Sequence, residues 1–425
     1  MAHTIIVENI GELLSLRGAA RQQGRYITPQ NLSPIRQACL VVRKGRIAWV
    51  GPQARVPKDF LRLDKKAGPE GQITVFDAQG RTLLPAFVEC HTHSIFAGTR
   101  STEFELRNQG MSYQEIAQRG GGILSTVKAT RRASENDLLL LAQARVDRFV
   151  AQGVTTLEVK SGYGLNFSTE CKLLKVAQRL RKARIFPTYL GPHSVPPGKN
   201  AEEYMQDLLA RDLPFIASQR LARRADIFVE AGYFSKTQGL TFLSKAKELG
   251  LGVTLHADQL TRSGGAQLAV ELGAQSADHL VQVNASDIEA LARSPVTAVL
   301  LPGADFYLNM AYPPARALIA AGARVAVASD FNPGSCPSQD LSLIGVLARR
   351  YMGMTLPEVI VGYTLNAAAA LGLESQLGSI EIGKLADFQL IDGDWRELFY
   401  EVGGLSTPSV WREGRRIGGN PLPRR

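Results

Sequence analysis

TLLPAFVECHTHS, residues 82–94, is an apolar run that ends in two histidines one residue apart. Along a strand, residues i and i+2 point to the same face, so His91 and His93 converge while Thr92 points away. Two imidazoles on one face suit a single metal ion, although a lone His-x-His serves structure about as readily. The rest of the chain decides between the two.

Seven more apolar runs follow: VTTLEVKS (154–161), RIFPTYLGPH (184–193), ADIFVEA (225–231), VTLHADQ (253–259), SADHL (276–280), TAVLLPG (297–303) and RVAVASD (324–330). Helical periods fill the gaps between them. In SENDLLLLAQARVDRFVAQG (134–153), Ser134 can cap the N-terminus and Gly153 end the helix. Eight runs alternating with helices predict an α/β fold, a (β/α)8 TIM-like barrel over residues 82–383. The first gap, 91–153, is long, and an insertion at the catalytic face of a barrel carries substrate contacts. The two ends read differently. ACLVVRKGRIAWV (38–50) and GQITVFDAQGRTLLP (71–85), then LGSIEIGKLADFQLID (377–392) and PSVWREGRRIGG (408–419), are short strands around Gly turns. They predict a small β-sandwich domain composed of residues 1–81 and 384–425. Residues 15–35 read as a polar loop on it.

Composition removes several function classes. With 425 residues, 45% hydrophobic and 21% charged, the chain has the make-up of a globular protein with a sizeable core. The net charge of +10 is spread over helix-like segments such as RLRKAR (179–184) and RLARR (220–224), without interleaved aromatics. This argues against nucleic acid and for a field that draws a small anionic substrate. Cys39, Cys90, Cys171 and Cys336 are far apart and form no Cys-x-x-Cys, which fits a reducing cytoplasm rather than a disulfide framework. No apolar run approaches the ~18 residues of a membrane span, and the N-terminus lacks the pattern of an export signal.

All histidines except His3 lie at or near the C-terminal end of a proposed strand: His91 and His93, His193, His256 and His279, with Asp330 ending the eighth. In a (β/α)8 barrel those ends form one rim, so residues hundreds of positions apart become neighbours. His91, His93, His256 and Asp330 would hold one metal ion, zinc or iron, and leave a position for water. A guanidinium fork suits a substrate carboxylate, and Arg100 stands seven residues past His93.

HTHSIFAGTR (91–100), GGGILSTV (120–127), EVKSGYG (158–164), SADHL and ASDFNPGSCP (328–337) together resemble the amidohydrolase superfamily, from about residue 38 to the C-terminus. The resemblance implies that His91, His93, His256 and Asp330 ligate one divalent or trivalent ion per subunit. It implies hydrolysis of 4-imidazolone-5-propanoate to N-formimidoyl-L-glutamate by metal-activated water, a step of histidine degradation. Another mononuclear amidohydrolase, such as a deaminase of a related ring, is the alternative. Asp330 would then move the proton, and His279 would polarise the carbonyl or support Asp330. By the same resemblance Arg100, Tyr113 and Tyr163 surround the substrate, His193 donates a hydrogen bond, and Asn332, Gly334 and Ser335 contact substrate or product. Two-metal relatives often bridge their ions with a modified lysine ending strand four. Here that run ends in Glu230 and Lys160 closes the second, which indicates one ion while leaving Glu230 for another. Where many relatives read His-Ala-Asp-Glu, this chain has Gln259, an amide that cannot serve as a carboxylate base, so its expected role is hydrogen bonding to the ring. The resemblance further implies a homodimer.

Overall fold

The structure is a computed structural model that describes residues 4–61, 73–111, 115, 121–405 and 409–424. Its strands, in chain order, are β1 (Thr4–Leu14), β2 (Pro34–Arg43), β3 (Arg46–Pro52), β4 (Ile73–Asp77), β5 (Thr82–Pro85), β6 (Phe87–Glu89), β7 (Val154–Lys160), β8 (Arg184–Tyr189), β9 (Arg224–Ala225), β10 (Phe228–Val229), β11 (Gly252–Ala257), β12 (Ser276–His279), β13 (Thr297–Leu300), β14 (Arg324–Val327), β15 (Phe388–Ile391), β16 (Ser409–Arg412) and β17 (Arg415–Gly419).

Strands β6 to β14 form a parallel sheet in sequence order, with β9 and β10 both pairing with β11. Its ends meet through a parallel bridge between Thr92 and Phe331. Across this seam the His93 N–H donates to the Phe331 carbonyl at 2.9 Å, and the Asp330 N–H to the His91 carbonyl at 3.2 Å. The barrel therefore closes at the positions that carry the histidine pair and the terminal aspartate. Its strands read as near-continuous apolar runs because both faces are covered, with every residue of β7, β12 and β13 buried.

The terminal strands form a second sheet in the order β17-β16-β15-β5-β1-β2-β3, with β4 also on β1. On the edge away from β2, β1 serves two further partners, and its register with β2 breaks between Val7 and Ile10, around Asn9 at φ 55°. Its first half pairs with β4 and its second half with β5. The sheet folds over a core that includes Val7, Leu40, Phe388 and Trp411. Phe76 of β4 meets the Trp411 ring edge-on at 4.9 Å. The apolar run 82–90 divides between the two sheets: β5 pairs with β15, and β6 opens the barrel.

The segment between the first two barrel strands holds helices Ser101–Asn108, Ile123–Arg132 and Glu135–Ala151. The last is capped by Ser134, whose side chain accepts from the Asp137 N–H at 3.1 Å. Residues 15–35, expected to form a polar loop on the β domain, pack instead partly on the barrel. The Arg25 guanidinium donates to the carbonyls of Ala292, Gly322 and Ser294 at helix ends. All four cysteines are buried and unpaired. Among the described residues no helix is long and apolar enough to cross a membrane.

Candidate metal centre and active site

His91 and His93 follow β6, His256 lies in β11, and their ligand nitrogens lie within 4.8 Å of one another. Asp330 Oδ1 lies 3.4 Å from His91 Nε2 and 3.5 Å from His93 Nε2. Ligands on a tetrahedral zinc, bonded at about 2.0–2.1 Å, stand about 3.4 Å apart, so Asp330 Oδ1 already has coordination-shell spacing to both imidazole nitrogens. Both His91 Nε2 and Asp330 Oδ1 are buried without a hydrogen-bond partner among the described residues. Burying such atoms unsatisfied is costly, and a cation between them removes the cost. The donor set thus fits a single ion. Thr92 turns away from it, its hydroxyl donating to the Glu158 carbonyl at 2.6 Å.

Each of two histidines is aimed by a carboxylate. The His91 Nδ1–H donates to Asp278 Oδ2 at 2.7 Å, and the His256 Nδ1–H to Asp226 Oδ2 at 3.1 Å. That hydrogen bond fixes the tautomer that leaves Nε2 free to ligate. Burial pushes His91, His93 and His279 well below the usual imidazole range, and His193 down to about 3. They are therefore lone-pair donors at neutral pH. Burial also raises the Asp330 carboxyl to about 7. His279 and Asp330 adopt left-handed backbone, φ 78° and 52°, an uncommon state for residues with a side chain. Such outliers collect at functional sites, where the surroundings hold them.

Over these groups lies a cavity of about 360 Å³. His93, His256, His279 and Asp330 line its floor, and Arg100, Tyr163, His193, Gln259, Asn332 and Ser335 its walls. Arg100 Nε donates to Glu103 Oε2 at 2.7 Å, which anchors the guanidinium. The guanidinium lies against Gly334, where a Cβ would stand 2.1 Å from Arg100 Nη1, so a larger residue there displaces the guanidinium. The Tyr163 ring packs on His93 and His193, with centroids 5.8 and 5.4 Å away. His193, on the turn after β8, stacks on His93 at 5.1 Å and bonds the Gly162 carbonyl through Nδ1 at 3.0 Å. Tyr113 lies outside the described residues.

Two side chains spend their hydrogen bonds on the turns that shape the site. Asn332 spends its amide within the turn: Oδ1 accepts from the Gly334 and Ser335 N–H groups at 2.8 and 2.7 Å, and Nδ2 donates to the Asp330 carbonyl. It shapes the loop that holds Asp330, whose Oδ2 accepts from Ser335 Oγ at 3.4 Å. Glu230 does not reach toward a second ion. Its carboxylate accepts from the Leu260 and Thr261 N–H groups and the Ser263 hydroxyl, fastening the loop after β11 beside Gln259. Asp258 performs a similar task, accepting from the Ser263, Gly264 and Ala266 N–H groups.

Sequence reasoning missed Asp226 and Asp278, the partners of His256 and His91. The signal was present: each is an acidic residue inside a buried apolar strand run, and such an acid requires a partner.

A closed (β/α)8 barrel whose strand ends gather three imidazoles and a carboxylate under a substrate-sized cavity is the framework of a metal-dependent hydrolase. The profile of the Amidohydrolase family matches residues 82–416. Imidazolonepropionase of Bdellovibrio bacteriovorus is 52% identical over 416 residues, covering 98% of this chain and 97% of that protein. Imidazolonepropionase of Symbiobacterium thermophilum is 42% identical over 421 residues, covering 97% and 93%. The chain belongs to the amidohydrolase family and, within it, to the imidazolonepropionases. Among solved structures, a zinc-bound adenosine deaminase from Xanthomonas campestris superposes with a TM-score of 0.70 at 17% identity, covering 98% of this chain and 92% of the deaminase. A. niger ochratoxinase gives 0.69 at 17% identity, covering 98% and 96%. At that distance they share the fold alone.

Proposed function

We propose that this enzyme hydrolyses 4-imidazolone-5-propanoate to N-formimidoyl-L-glutamate. The observation that carries the assignment is the placing of an ion-binding donor set and the Arg100 guanidinium on one cavity of about 360 Å³. A ring amide can sit at the floor while its propanoate arm reaches the arginine. The name and high identity of the relatives support the same reaction.

In the overall step, water adds across the ring C–N bond. Its oxygen joins the carbonyl carbon, the C–N bond breaks, and a proton goes to the leaving nitrogen. A bound zinc or iron ion, held by His91, His93, His256 and Asp330, supplies acidity to the water and polarisation to the carbonyl. Asp330 takes the proton from water and returns it to the ring nitrogen. His279, beside it on the floor, faces the carbonyl oxygen as that oxygen gains charge. Gln259 hydrogen-bonds the ring as donor or acceptor, and His193 and Tyr163 enclose it. The same reading includes a homodimer, supported by the superfamily resemblance, and a cytoplasmic setting, supported by the four unpaired cysteines.

Arg100→Met tests the substrate assignment. Removing a charge-assisted hydrogen bond to the carboxylate costs about 1.5–3 kcal/mol, so KM for imidazolonepropanoate is expected to rise roughly 10- to 100-fold with a smaller change in kcat. An unchanged KM would assign the pocket to a substrate without a carboxylate, such as the ring of a deaminase substrate.

A further inference from the structure

Behind the metal centre, on the side away from the cavity, lies a buried knot of charges that the proposed chemistry leaves unused. Lys160, at the end of β7, is fully buried. Its ammonium donates to Asp226 Oδ2 at 2.8 Å and Glu158 Oε1 at 3.0 Å, and lies 3.8 Å from Asp278 Oδ2. Asp226 and Asp278 are the two carboxylates that aim His256 and His91. One ammonium thus touches both carboxylate–histidine pairs. Arg224, also fully buried, occupies Glu158 from the other side, with Nε donating at 3.0 Å, so that carboxylate is shared between two cations.

We propose that Lys160 is a positioning residue for the metal centre, the common counter-ion that holds Asp226 and Asp278 in the geometry that orients His256 and His91. Without it, two carboxylates in a water-free interior face each other with no cation between them. At short range and low dielectric like charges repel strongly, so the pair turns apart and carries its histidines along. Lys160 lies at the meeting point of β7, β9–β10 and β12 and is the one lysine or arginine among the described residues that forms an ion pair with both acids; Arg224 acts on them from farther off and spends its own ion pair on Glu158. The knot holds three carboxylates against two cations, and its leftover negative charge lies behind the ion that the histidines take.

The inference rests on the metal-centre reading above. It is tested by zinc affinity, measured by competition with a chromophoric chelator, and by the visible spectrum of the cobalt-loaded protein, which reports ligand geometry. Lys160→Met is expected to weaken zinc binding 10- to 100-fold and to alter the cobalt spectrum, with far-ultraviolet dichroism like the wild type. A folded variant with zinc affinity within twofold of wild type and the same cobalt spectrum overturns the role of Lys160. Should Lys160→Met fail to fold, K160M/D278N is compared with D278N. A further loss of zinc affinity, carried through Asp226 and His256, supports the assignment, and equal affinity overturns it. Wild-type protein that binds no zinc would instead sink the metal-centre reading itself.

Discussion

Asp305 illustrates how far a single buried group can govern the molecule's response to pH. It sits in helix Pro302–Leu308 after β13, and both its carboxyl oxygens are buried without a hydrogen-bond partner among the described residues. Burial, reinforced by the charge of Asp330, raises it to about 8. A carboxyl raised on folding keeps its proton where the unfolded chain has lost it, from about pH 4 upward. Stability from this group is therefore full below pH 4 and is lost as pH rises toward 8, by an amount on the order of a few kcal/mol. Urea midpoints of wild type and Asp305→Asn at pH 5.5 and 8 should show the wild type losing more on the rise, whereas parallel losses would contradict the shift. At this scale the convergence of His91, His93 and His256 was legible, because the C-terminal ends of barrel strands meet on one rim. Asp226 and Asp278 were not, since their meaning lies in a bond to another residue's far ring nitrogen. The second-ion role left open for Glu230 was not settled by sequence, which does not tell a side chain facing the cavity from one that spends itself on a backbone turn.

Elements were legible where periodicity and caps agreed. Helix Glu135–Ala151 begins after Ser134 and ends before Gly153 as the sequence requires. Ser134→Ala removes the acceptor for the Asp137 N–H and should lower stability by about 1 kcal/mol with catalysis unchanged, measured by urea unfolding. Gly153 does more than end a helix. It has φ 95°, and a Cβ there would stand 2.0 Å from Gln389 Oε1 on β15, so the terminal sheet presses against this turn. What periodicity could not resolve was the division of continuous apolar runs. Residues 82–90 serve two sheets, and 225–231 break into β9 and β10, because apolar character reports burial and not the partner that buries.

For the whole molecule, the eight-run count was enough to predict the barrel, but its closure is visible only in three dimensions. First and last strands meet at Thr92 and Phe331, with His91 and His93 on one side of that seam and Asp330 on the other. An ion held as proposed by His91, His93, His256 and Asp330 would join the two ends of the sheet, so that fold and function would depend on the same few atoms. The most direct test follows the ultraviolet absorbance of imidazolonepropanoate with three samples: zinc- or iron-loaded protein, protein stripped by a chelator, and stripped protein given metal back. Loaded and restored protein should consume the substrate far faster than its spontaneous decay and yield N-formimidoyl-L-glutamate, while stripped protein should not. Loaded protein that leaves the decay at its spontaneous rate would contradict the assignment.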